Sequence, residues 1–449
     1  MSLFRTLSGK YLRFKLGLTP QQNLFYGFLS YVLIGAVLLS LPWLQKTSVP
    51  LLDNLFIATS AVSTTGLVTV SVFDSYNFFG QLVVVILFQL GGIGYLTFTT
   101  FMILSTTKKI THWHQTLLKT EFTLPVTIKI KDFLKSVILF TLVMEILGVI
   151  LFYIAFSREG MPIWEALWSA IFHSISAFCT AGFSLFNSGF ADYSGNVLIN
   201  TTISILAIAG SLGFIVVTDF VLFLRKKKHA LSFTTKIVSY GFLILLSFGF
   251  IFFYTYEPTI SNLAGNERFL AAFFQSMTAM TTVGFNTVDF GAFMLPMLLV
   301  TIFLMYIGAS PSGTAGGMKI TTLTAVFAIM KSRLTNHKRI TFLGRIIPYE
   351  RLYIATSSFI FYTSIIALGT FILTFTEDFK FEKILFEVAS ALGTVGLSTG
   401  ITGDLSVLGK ITIIITMFIG RLGVLTFGLA IWAKQHTGDK TIPTDDIAV

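Results

Sequence analysis

The stretch S-A-L-G-T-V-G-L-S-T-G, residues 390–400, interrupts an apolar sequence with three glycines and four small hydroxyl-bearing side chains. It carries no charge and lies between two long apolar segments. Glycine disfavours helix. Backbone without regular hydrogen bonds is tolerated in a bilayer only where protein or a water-filled cavity surrounds it. The stretch therefore predicts a helix break at a specialised place in the fold.

The composition predicts a polytopic membrane protein. Of 449 residues, 54% are hydrophobic and only 12% are charged, about half the charged fraction of a soluble domain. A helix needs roughly 20 apolar residues to cross a bilayer core. Six long stretches contain no Asp, Glu, Lys or Arg: residues 16–45, 75–107, 193–218, 237–256, 290–318 and 352–376.

The net charge of +10 is distributed as in a membrane protein and does not indicate nucleic-acid binding. Basic residues fall in clusters that acidic segments separate, and the positive-inside rule assigns such clusters to the cytoplasm. We therefore expect an even number of spans, with both termini cytoplasmic, in the plasma membrane. The clusters are Arg5, Lys10, Arg13, Lys15; Lys108, Lys109, Lys119, Lys129, Lys131, Lys135; Arg225, Lys226, Lys227, Lys228, Lys236; and Lys331, Arg333, Lys338, Arg339, Arg345, Arg351.

The opening motif occurs four times, with the pattern [ST]-A-x-x-T-x-G. The copies are residues 60–66, 176–182, 278–284 and 390–396. Each copy lies in an outward-facing segment between two apolar stretches. Recurrence at a regular interval indicates structural repeats. Each repeat is interpreted as a span, a short re-entrant helix, the motif and a second span.

The expected spans follow from this interpretation. First spans are predicted at about 22–44, 133–157, 234–256 and 352–375, and second spans at about 77–104, 195–224, 291–330 and 408–433. The second spans of repeats one, two and four align on a glycine, at Gly94, Gly213 and Gly423. The third carries G-A-S-P-S-G-T-A-G-G, residues 308–317, in its middle, and Pro311 and the glycines oppose a continuous helix there.

The segment before each motif resembles a half-helix that would direct its negative end at the motif. Each begins near an acid, which suits the positive end of a helix dipole; these acids are Asp53, Glu165, Glu267 and Glu382. Four such ends around one axis favour a cation, and four glycine loops could present carbonyl oxygens that replace the hydration shell of potassium. The alternative is that small residues only allow close helix packing, but four equivalent copies favour a selectivity filter.

The chain resembles the Ktr/Trk/HKT superfamily of potassium and sodium uptake proteins, and within it the Ktr-type membrane subunits (KtrB-like). The resemblance covers roughly residues 20–435. It rests on the four T-x-G loops, on the interrupted span G-A-S-P-S-G-T-A-G-G-M-K and on G-R-L-G at residues 420–423. Only about 20 residues precede the first span, which favours the Ktr type over Trk-type members with an extra N-terminal hairpin.

The resemblance implies an all-α polytopic fold with four membrane–pore-loop–membrane repeats around a pseudo-four-fold pore, that is, 8 transmembrane helices and 4 re-entrant pore helices. The divisions are a cytoplasmic N-terminal segment 1–20, repeat 1 at 21–105, repeat 2 at 131–225, repeat 3 at 232–335 with its interrupted second span, repeat 4 at 350–434, and a cytoplasmic tail 435–449.

The resemblance also assigns the ion-binding residues. Glycine at all four filter positions implies potassium over sodium. Serine at any filter glycine should therefore weaken potassium selection, whereas serine at Gly80, outside the motif, should not. The predicted filter comprises Thr64, Thr65, Gly66, Thr180, Ala181, Gly182, Thr282, Val283, Gly284, Thr394, Val395 and Gly396.

A gate is predicted beneath the filter, where the interrupted third span would obstruct the path at rest. Arg421 is an ionisable group within a predicted span and is a functional candidate by default; its alternative is a structural ion pair with Asp219 or Glu145. The predicted gate comprises Gly308, Ser310, Pro311, Ser312, Gly313, Thr314, Gly316, Gly317 and Arg421.

Further expectations about partners come from the resemblance alone: a homodimer on a cytoplasmic ring of nucleotide-binding regulatory subunits (KtrA-like), with ATP or ADP on that ring and sodium-stimulated transport. The basic loops at 105–135, 225–236 and 331–351 are candidate contacts with the ring, and ordinary positive-inside charge explains each of them equally well. No cofactor is expected in this chain, and no metal other than transported potassium.

Other classes of function fit the sequence less well. No catalytic constellation indicates an enzyme. His112 and His114 lack a nearby third metal ligand and are interpreted as loop residues. A secondary carrier with broken helices is the alternative transporter class, but such carriers usually contain two inverted repeats. For Glu145 a structural or dimer-interface role is expected, and Lys319 is expected to reach the cytoplasmic interface.

Residues 313–321, G-T-A-G-G-M-K-I-T, lack the G-K-[ST] of a phosphate-binding loop. The purified chain alone is therefore expected to bind no ATP, and the resemblance implies that co-expressed regulatory subunits confer nucleotide dependence on transport. Calorimetric titration with ATP measures the first expectation, and stoichiometric binding by the chain alone would contradict it.

Overall fold

The computed structural model describes residues 18–94, 130–226, 229–308 and 310–432, and side chains from residue 133 onward in the second of these ranges. Nearly all regular structure in these ranges is helical, so the prediction of a helical fold is confirmed. Most of the predicted N-terminal segment, the loop with His112 and His114, and the predicted tail 435–449 lie outside the described residues.

The helices recur in the same order in four successive stretches: a long helix, a short helix that ends in the motif, and further helical segments. The first stretch contains α1 (Pro20–Leu39), α2 (Leu51–Val62), α3 (Val72–Ser75) and α4 (Phe78–Ile93). The second contains α5 (Ile130–Arg158), α6 (Ile163–Phe178), α7 (Val197–Ser211) and α8 (Phe214–Leu224). The third contains α9 (Phe233–Tyr256), α10 (Pro258–Ser261), α11 (Gly265–Thr281), α12 (Leu295–Tyr306) and α13 (Ile320–Leu334). The fourth contains α14 (Tyr349–Thr376), α15 (Phe381–Gly393), α16 (Val407–Leu422) and α17 (Val424–Trp432).

Short strands occur only around the third stretch of the described chain. β1 (Ile307–Gly308) pairs in parallel with β2 (Met318–Lys319). β3 (Thr341–Phe342) pairs antiparallel with β4 (Arg345–Ile346) before α14 begins. The first pairing holds the two ends of the glycine-rich loop, residues 308–317, side by side.

Four helices in the described residues are long and apolar enough to cross a membrane: α1, α5 over Phe133–Arg158, α9 and α14. They carry exposed apolar side chains; on α5, Leu139 and Ile146 are 65% and 59% exposed. Such a surface is stable against lipid and not against water. The number rises to six if each of two bent helix pairs counts as one span.

The second spans predicted in repeats two and four each contain a sharp bend that the sequence did not predict. α7 and α8 meet at 96° across Gly213, and α16 and α17 meet at 99° at Gly423. These glycines have φ of +85° and +83°, and Gly94 at the end of α4 has +86°. An L side chain rarely adopts such a conformation. The glycines on which the second spans align are therefore the points where these helices end.

The short helices α2, α6, α11 and α15, called here the central helices, form the core. The last eight residues of α15, 386–393, are all buried, as are the last eight of α11, 274–281. Each central helix packs against the long helix of its own stretch: α1 on α2, α5 on α6, α9 on α11, and α14 on α15. The motif at the end of each central helix consequently lies in the protein interior.

The central helices are joined in a closed cycle by the helices that follow them. α4 packs on α6, α7 on α11, α12 on α15, and α16 returns to α2. Each stretch therefore contacts the next in the same way, and the fourth contacts the first. The contacts of the described helices thus form one closed cycle of four.

A salt bridge reinforces the contact that closes the cycle. Lys410 Nζ at the start of α16 lies 2.6 Å from Asp53 Oδ1 in the first turn of α2, and the two side chains are 16% and 9% exposed. A charged hydrogen bond at this exposure contributes more than an open surface pair. Asp53 thus holds the fourth stretch against the first.

We expect Lys410→Met to lower the thermal stability of the purified protein, because it leaves the carboxylate of Asp53 buried without its cation, at a cost of about 1–3 kcal/mol. The apparent melting temperature in detergent measures this. Lys380→Met, at an exposed position, is the control. Adding Asp53→Asn to Lys410→Met should recover part of the loss; a Lys410→Met protein that melts like wild type would argue against the interaction.

Candidate functional site

The four motif loops share one backbone conformation. The threonine two residues before each motif glycine has a left-handed φ. The values are +52°, +50°, +56° and +48° at Thr64, Thr180, Thr282 and Thr394. A positive φ is uncommon for threonine because its branched Cβ crowds the backbone. The central helices end here because a left-handed residue cannot continue a right-handed helix.

The four motif glycines also have positive φ and meet one another around an axis. A Cβ atom placed on Gly66 would lie 3.0 Å from Cα of Gly182, and one on Gly182 would lie 3.2 Å from Cα of Gly284. A Cβ atom on Gly284 would lie 3.2 Å from Cα of Gly396, and one on Gly396 would lie 3.1 Å from Cα of Gly66. The glycines therefore form a closed ring, called here the glycine ring, with no space for a side chain between neighbours.

The carbonyl oxygen of the residue before each ring glycine lies in the same narrow gap between neighbouring loops. The Cβ placed on Gly66 would lie 2.6 Å from the carbonyl oxygen of Ala181, and that on Gly182 would lie 2.7 Å from the oxygen of Val283. At Gly284 and Gly396 it would overlap the oxygens of Val395 and Thr65. The ring thus brings four main-chain oxygens together, as a cation site built from backbone requires.

The hydroxyl residue that opens each motif holds the loop near its glycine. In the first and fourth copies it accepts a bond from the glycine N–H, and in the second and third it donates to the carbonyl oxygen of the residue after the glycine. These bonds are Gly66 N to Ser60 Oγ (3.0 Å), Gly396 N to Ser390 Oγ (3.1 Å), Ser176 Oγ to Phe183 O (2.9 Å) and Thr278 Oγ1 to Phe285 O (2.6 Å). The sequence motif contained these residues, but their role required the structure.

The electrostatics of the ring follow from the central helices. All four carry an acid in the first turn, at Asp53, Glu165, Glu267 and Glu382, and end within two residues of a motif threonine. The negative ends of four helix dipoles therefore converge on one place. This arrangement attracts a cation and repels an anion.

The glycine-rich loop lies directly against three of the four motif threonines. Thr180 Oγ1 donates to Thr314 Oγ1 over 3.2 Å, and Gly316 N donates to Thr282 Oγ1 over 3.1 Å. A Cβ placed on Gly316 would overlap Oγ1 of Thr394. The loop therefore touches the helix-terminal side of the ring in the second, third and fourth stretches.

Further contacts fix the loop to the second stretch. Thr314 N donates to Gly210 O over 3.1 Å, and Phe214 N donates to Ser312 O over 3.2 Å. A Cβ on Gly213 would lie 2.5 Å from Pro311 O and 2.9 Å from Ser310 Oγ. The break between α7 and α8 is thus the surface on which the loop rests.

Two cationic side chains bind main-chain oxygens at this level. Arg421 donates to the carbonyl oxygens of Thr314 and Gly91, and to that of Gly92 over 3.3 Å. Lys319 Nζ donates to the oxygens of Ala315 and Gly316 over 2.6 and 3.0 Å. Arg421 therefore links the fourth stretch, the glycine-rich loop and the end of α4.

A cavity of about 640 Å³ adjoins the loop. Its lining includes Pro311, Gly316, Lys319, Arg351 and Arg421. Three basic side chains therefore line one cavity beside the glycine-rich loop.

Comparison with known proteins identifies the family of this chain. Residues 22–440 match the TrkH family, which is described as cation transport proteins. That match covers most of the 449 residues. The chain belongs to the TrkH family of cation transport proteins.

Named TrkH relatives are similar over nearly their full length. The chain is 35% identical to Ktr system potassium uptake protein B of Bacillus subtilis (strain 168), covering 98% of this chain and 97% of that protein. It is 34% identical to Ktr system potassium uptake protein B of Vibrio alginolyticus, over 91% and 90%. It is 33% identical to potassium/sodium uptake protein NtpJ of Enterococcus hirae, over 96% and 97%. The resemblance stated from the motifs is confirmed.

A solved TrkH structure supports the fold. The crystal structure of the potassium transporter TrkH from Vibrio parahaemolyticus matches with a TM-score of 0.69, covering 90% of this chain and 84% of that one. The two sequences are 22% identical over this match, so the likeness establishes the fold.

The remaining ionisable residues singled out in this TrkH member are hydrogen bonded inside the protein. Glu145 Oε1 accepts from Gln89 Nε2 over 2.7 Å, which joins α5 to α4. Asp219 Oδ2 accepts from Ser232 N and Thr235 Oγ1, both over 2.7 Å, at the start of α9. Both acids thus have hydrogen-bond partners on another helix or at its start. Lys319 differs from expectation, because its ammonium group turns to loop carbonyls.

We expect deletion of residues 310–317 to raise cation flux several-fold in the resting state, because it removes the segment that covers three motif threonines. The pairing of β1 with β2 already holds the loop ends together, which should let the shortened chain close. Rubidium-86 efflux from vesicles measures the flux. Unchanged or lower flux in monodisperse, well-expressed protein would contradict a gating role.

Proposed function

We propose that the chain takes up potassium ions through the axis of the glycine ring. The single observation that carries the proposal is the closed cycle of four T-x-G loops, each with a left-handed threonine and glycine, at the converging ends of four helices. Potassium passes where evenly placed carbonyl oxygens offset its lost hydration. The names of the relatives, which are potassium or potassium/sodium uptake proteins, support this ion.

The filter consists of the twelve residues predicted from the motifs, with main chain as the ligand. The position before each motif threonine carries Ser63, Cys179, Thr281 and Gly393, four different side chains. Such variety is compatible with ligands that come from the backbone. The cyclic contact of four stretches in one orientation supports a pore over a carrier with two inverted repeats.

The architecture that suits this function has 8 transmembrane helices and 4 re-entrant pore helices. The four long helices are the first spans, and the central helices are the pore helices. In the second spans, α4 runs towards residues outside the described ranges and α12 with α13 is split by the glycine-rich loop, which explains why length and composition alone identify fewer spans. Both termini and the basic clusters face the cytoplasm, and the protein lies in the plasma membrane.

The glycine-rich loop and Arg421 form the gate, and the contacts described above correspond to its closed position. The loop covers the helix-terminal side of the filter, and Arg421 fastens it to α4 through the oxygens of Thr314 and Gly91. Opening requires the loop to leave Thr180, Thr282 and Thr394. The cavity of about 640 Å³ beside the loop offers space for that movement.

Opening is controlled by a partner. A homodimer of this chain binds a cytoplasmic ring of nucleotide-binding regulatory subunits, and ATP or ADP on that ring biases the loop; sodium stimulates transport. The names of two relatives, each part of a Ktr system, support an assembly with further components.

The proposal predicts that serine at Gly66, Gly182, Gly284 or Gly396 weakens apparent potassium affinity and increases relative sodium permeation, because the added Cβ and hydroxyl displace a neighbouring loop. The expected loss of potassium preference is about tenfold, equivalent to about 1.4 kcal/mol. Competitive uptake of rubidium against sodium, in cells without other potassium systems, measures it.

Gly160→Ser is the matched control. Gly160 has a φ of +81°, within the range of +68° to +92° of the ring glycines, but nothing lies within 4 Å of a Cβ placed on it. It therefore separates backbone strain from obstruction of the ring. Gly80, the control suggested by sequence alone, is unsuitable because its Cβ would lie 2.5 Å from Leu44 O and 2.9 Å from Tyr76 Cβ. Wild-type selectivity in three of the four ring variants at equal expression would refute the filter.

A further inference from the structure

The residue nine positions before each ring glycine lies behind the motif loop on a central helix. The four residues are Ile57, His173, Gln275 and Glu387, and all are 0% exposed. They occupy the same place in the repeat but differ in chemistry. Three of them are polar, which is costly in the interior unless a specific hydrogen-bond partner is present.

Glu387 binds the segment that leaves the ring in the fourth stretch. Its Oε2 accepts a bond from Ser398 Oγ over 2.9 Å, and its Oε1 accepts a bond from Thr402 Oγ1. Ser398 Oγ in turn accepts a bond from Gly400 N over 3.0 Å. One carboxylate thus holds residues 398–402 immediately after Gly396.

The equivalent residues in two other stretches hold the same part of their loops. His173 Nε2 accepts from Leu185 N over 3.2 Å and lies 3.2 Å from Ser184 Oγ. Gln275 Nε2 donates to Val288 O over 3.1 Å. Ser184 and Ser398 both lie two residues after their ring glycine, so His173 and Glu387 bind equivalent serines.

We propose that Glu387 is a positioning residue for ion selection, which acts through Ser398 and Thr402 to fix the outward side of the fourth filter loop. This inference rests on the proposed function of the ring. The motif hydroxyls and the central helices fix each loop near its glycine, and the residue at this position fixes the segment that follows. A ring that discriminates ions by the spacing of its oxygens needs both sides of each loop fixed.

Glu387 has the largest effect among the four positions because each of its two oxygens binds a separate side chain of the loop, Ser398 and Thr402. Gln275 binds its loop through one hydrogen bond, His173 binds its loop through one ring nitrogen, and Ile57 has no polar group. The fourth loop therefore depends most on a single side chain.

The test is competitive uptake of rubidium and sodium by Glu387→Gln in the full-length protein, in cells without other potassium systems. Glutamine keeps the volume but presents an amide N–H₂ in place of one acceptor oxygen, so that one of the two hydroxyls loses its acceptor. We expect the KM for rubidium to rise about three- to tenfold, the effect of losing one buried hydrogen bond. Sodium uptake relative to rubidium should rise with it, while the maximal rate changes less.

A double-variant cycle identifies the route of the effect. Ser398→Ala should shift the rubidium-to-sodium ratio in the same direction, and adding it to Glu387→Gln should change the ratio little further. Asp404→Asn is the matched control, because it removes a carboxylate from an exposed position in the same segment and should leave the ratio unchanged.

The outcomes separate this inference from the proposed function. No rubidium preference in the wild-type protein would overturn the function itself. A wild-type preference that Glu387→Gln retains, at equal expression and thermal stability, would overturn the positioning role alone. Fully additive effects of Glu387→Gln and Ser398→Ala would also overturn it, since they would show that the two residues act independently.

Discussion

The close approach of four backbone segments around one axis is the constraint on which the rest of this structure depends. Each ring glycine lies so near the next loop that a single Cβ would displace it. Four loops can meet in this way only if four helices end together, and the helices end together because each is followed by a left-handed threonine. The cyclic packing of the second helical segments then keeps the four ends in place.

The helices that end near the axis also need hydrogen-bond partners for their last carbonyl groups, which have none within the helix. The motif residues satisfy some of them locally. At the level of the glycine-rich loop, Arg421 binds the last carbonyls of α4, and Lys319 binds two loop oxygens. Main-chain oxygens that lack a partner within a helix are thus bound by the two basic side chains beside the glycine-rich loop.

Sequence reasoning succeeded where a local rule decides the structure and failed where a distant contact does. The glycine and proline content of residues 308–317 predicted an interrupted helix, and the structure has one. The apolar length of residues 195–224 and 408–433 predicted two spans but not the sharp bend that each has at one glycine. An isolated glycine is tolerated within a helix, so its presence does not predict a break. At Gly213, the break coincides with a surface against which Pro311 and Ser310 pack.

By itself, the sequence determined the membrane class, the four copies of the motif, the position of each copy at a helix end and the family, because apolar length, glycine spacing and repetition are local properties. Only the tertiary structure decided which residues meet. The order of contacts around the glycine ring, the partners of Arg421, the salt bridge of Asp53 with Lys410 and the carboxylate behind the fourth loop all join residues far apart in the chain or on different elements. Such contacts depend on how the helices pack, and packing is a property of the whole chain that no single stretch encodes.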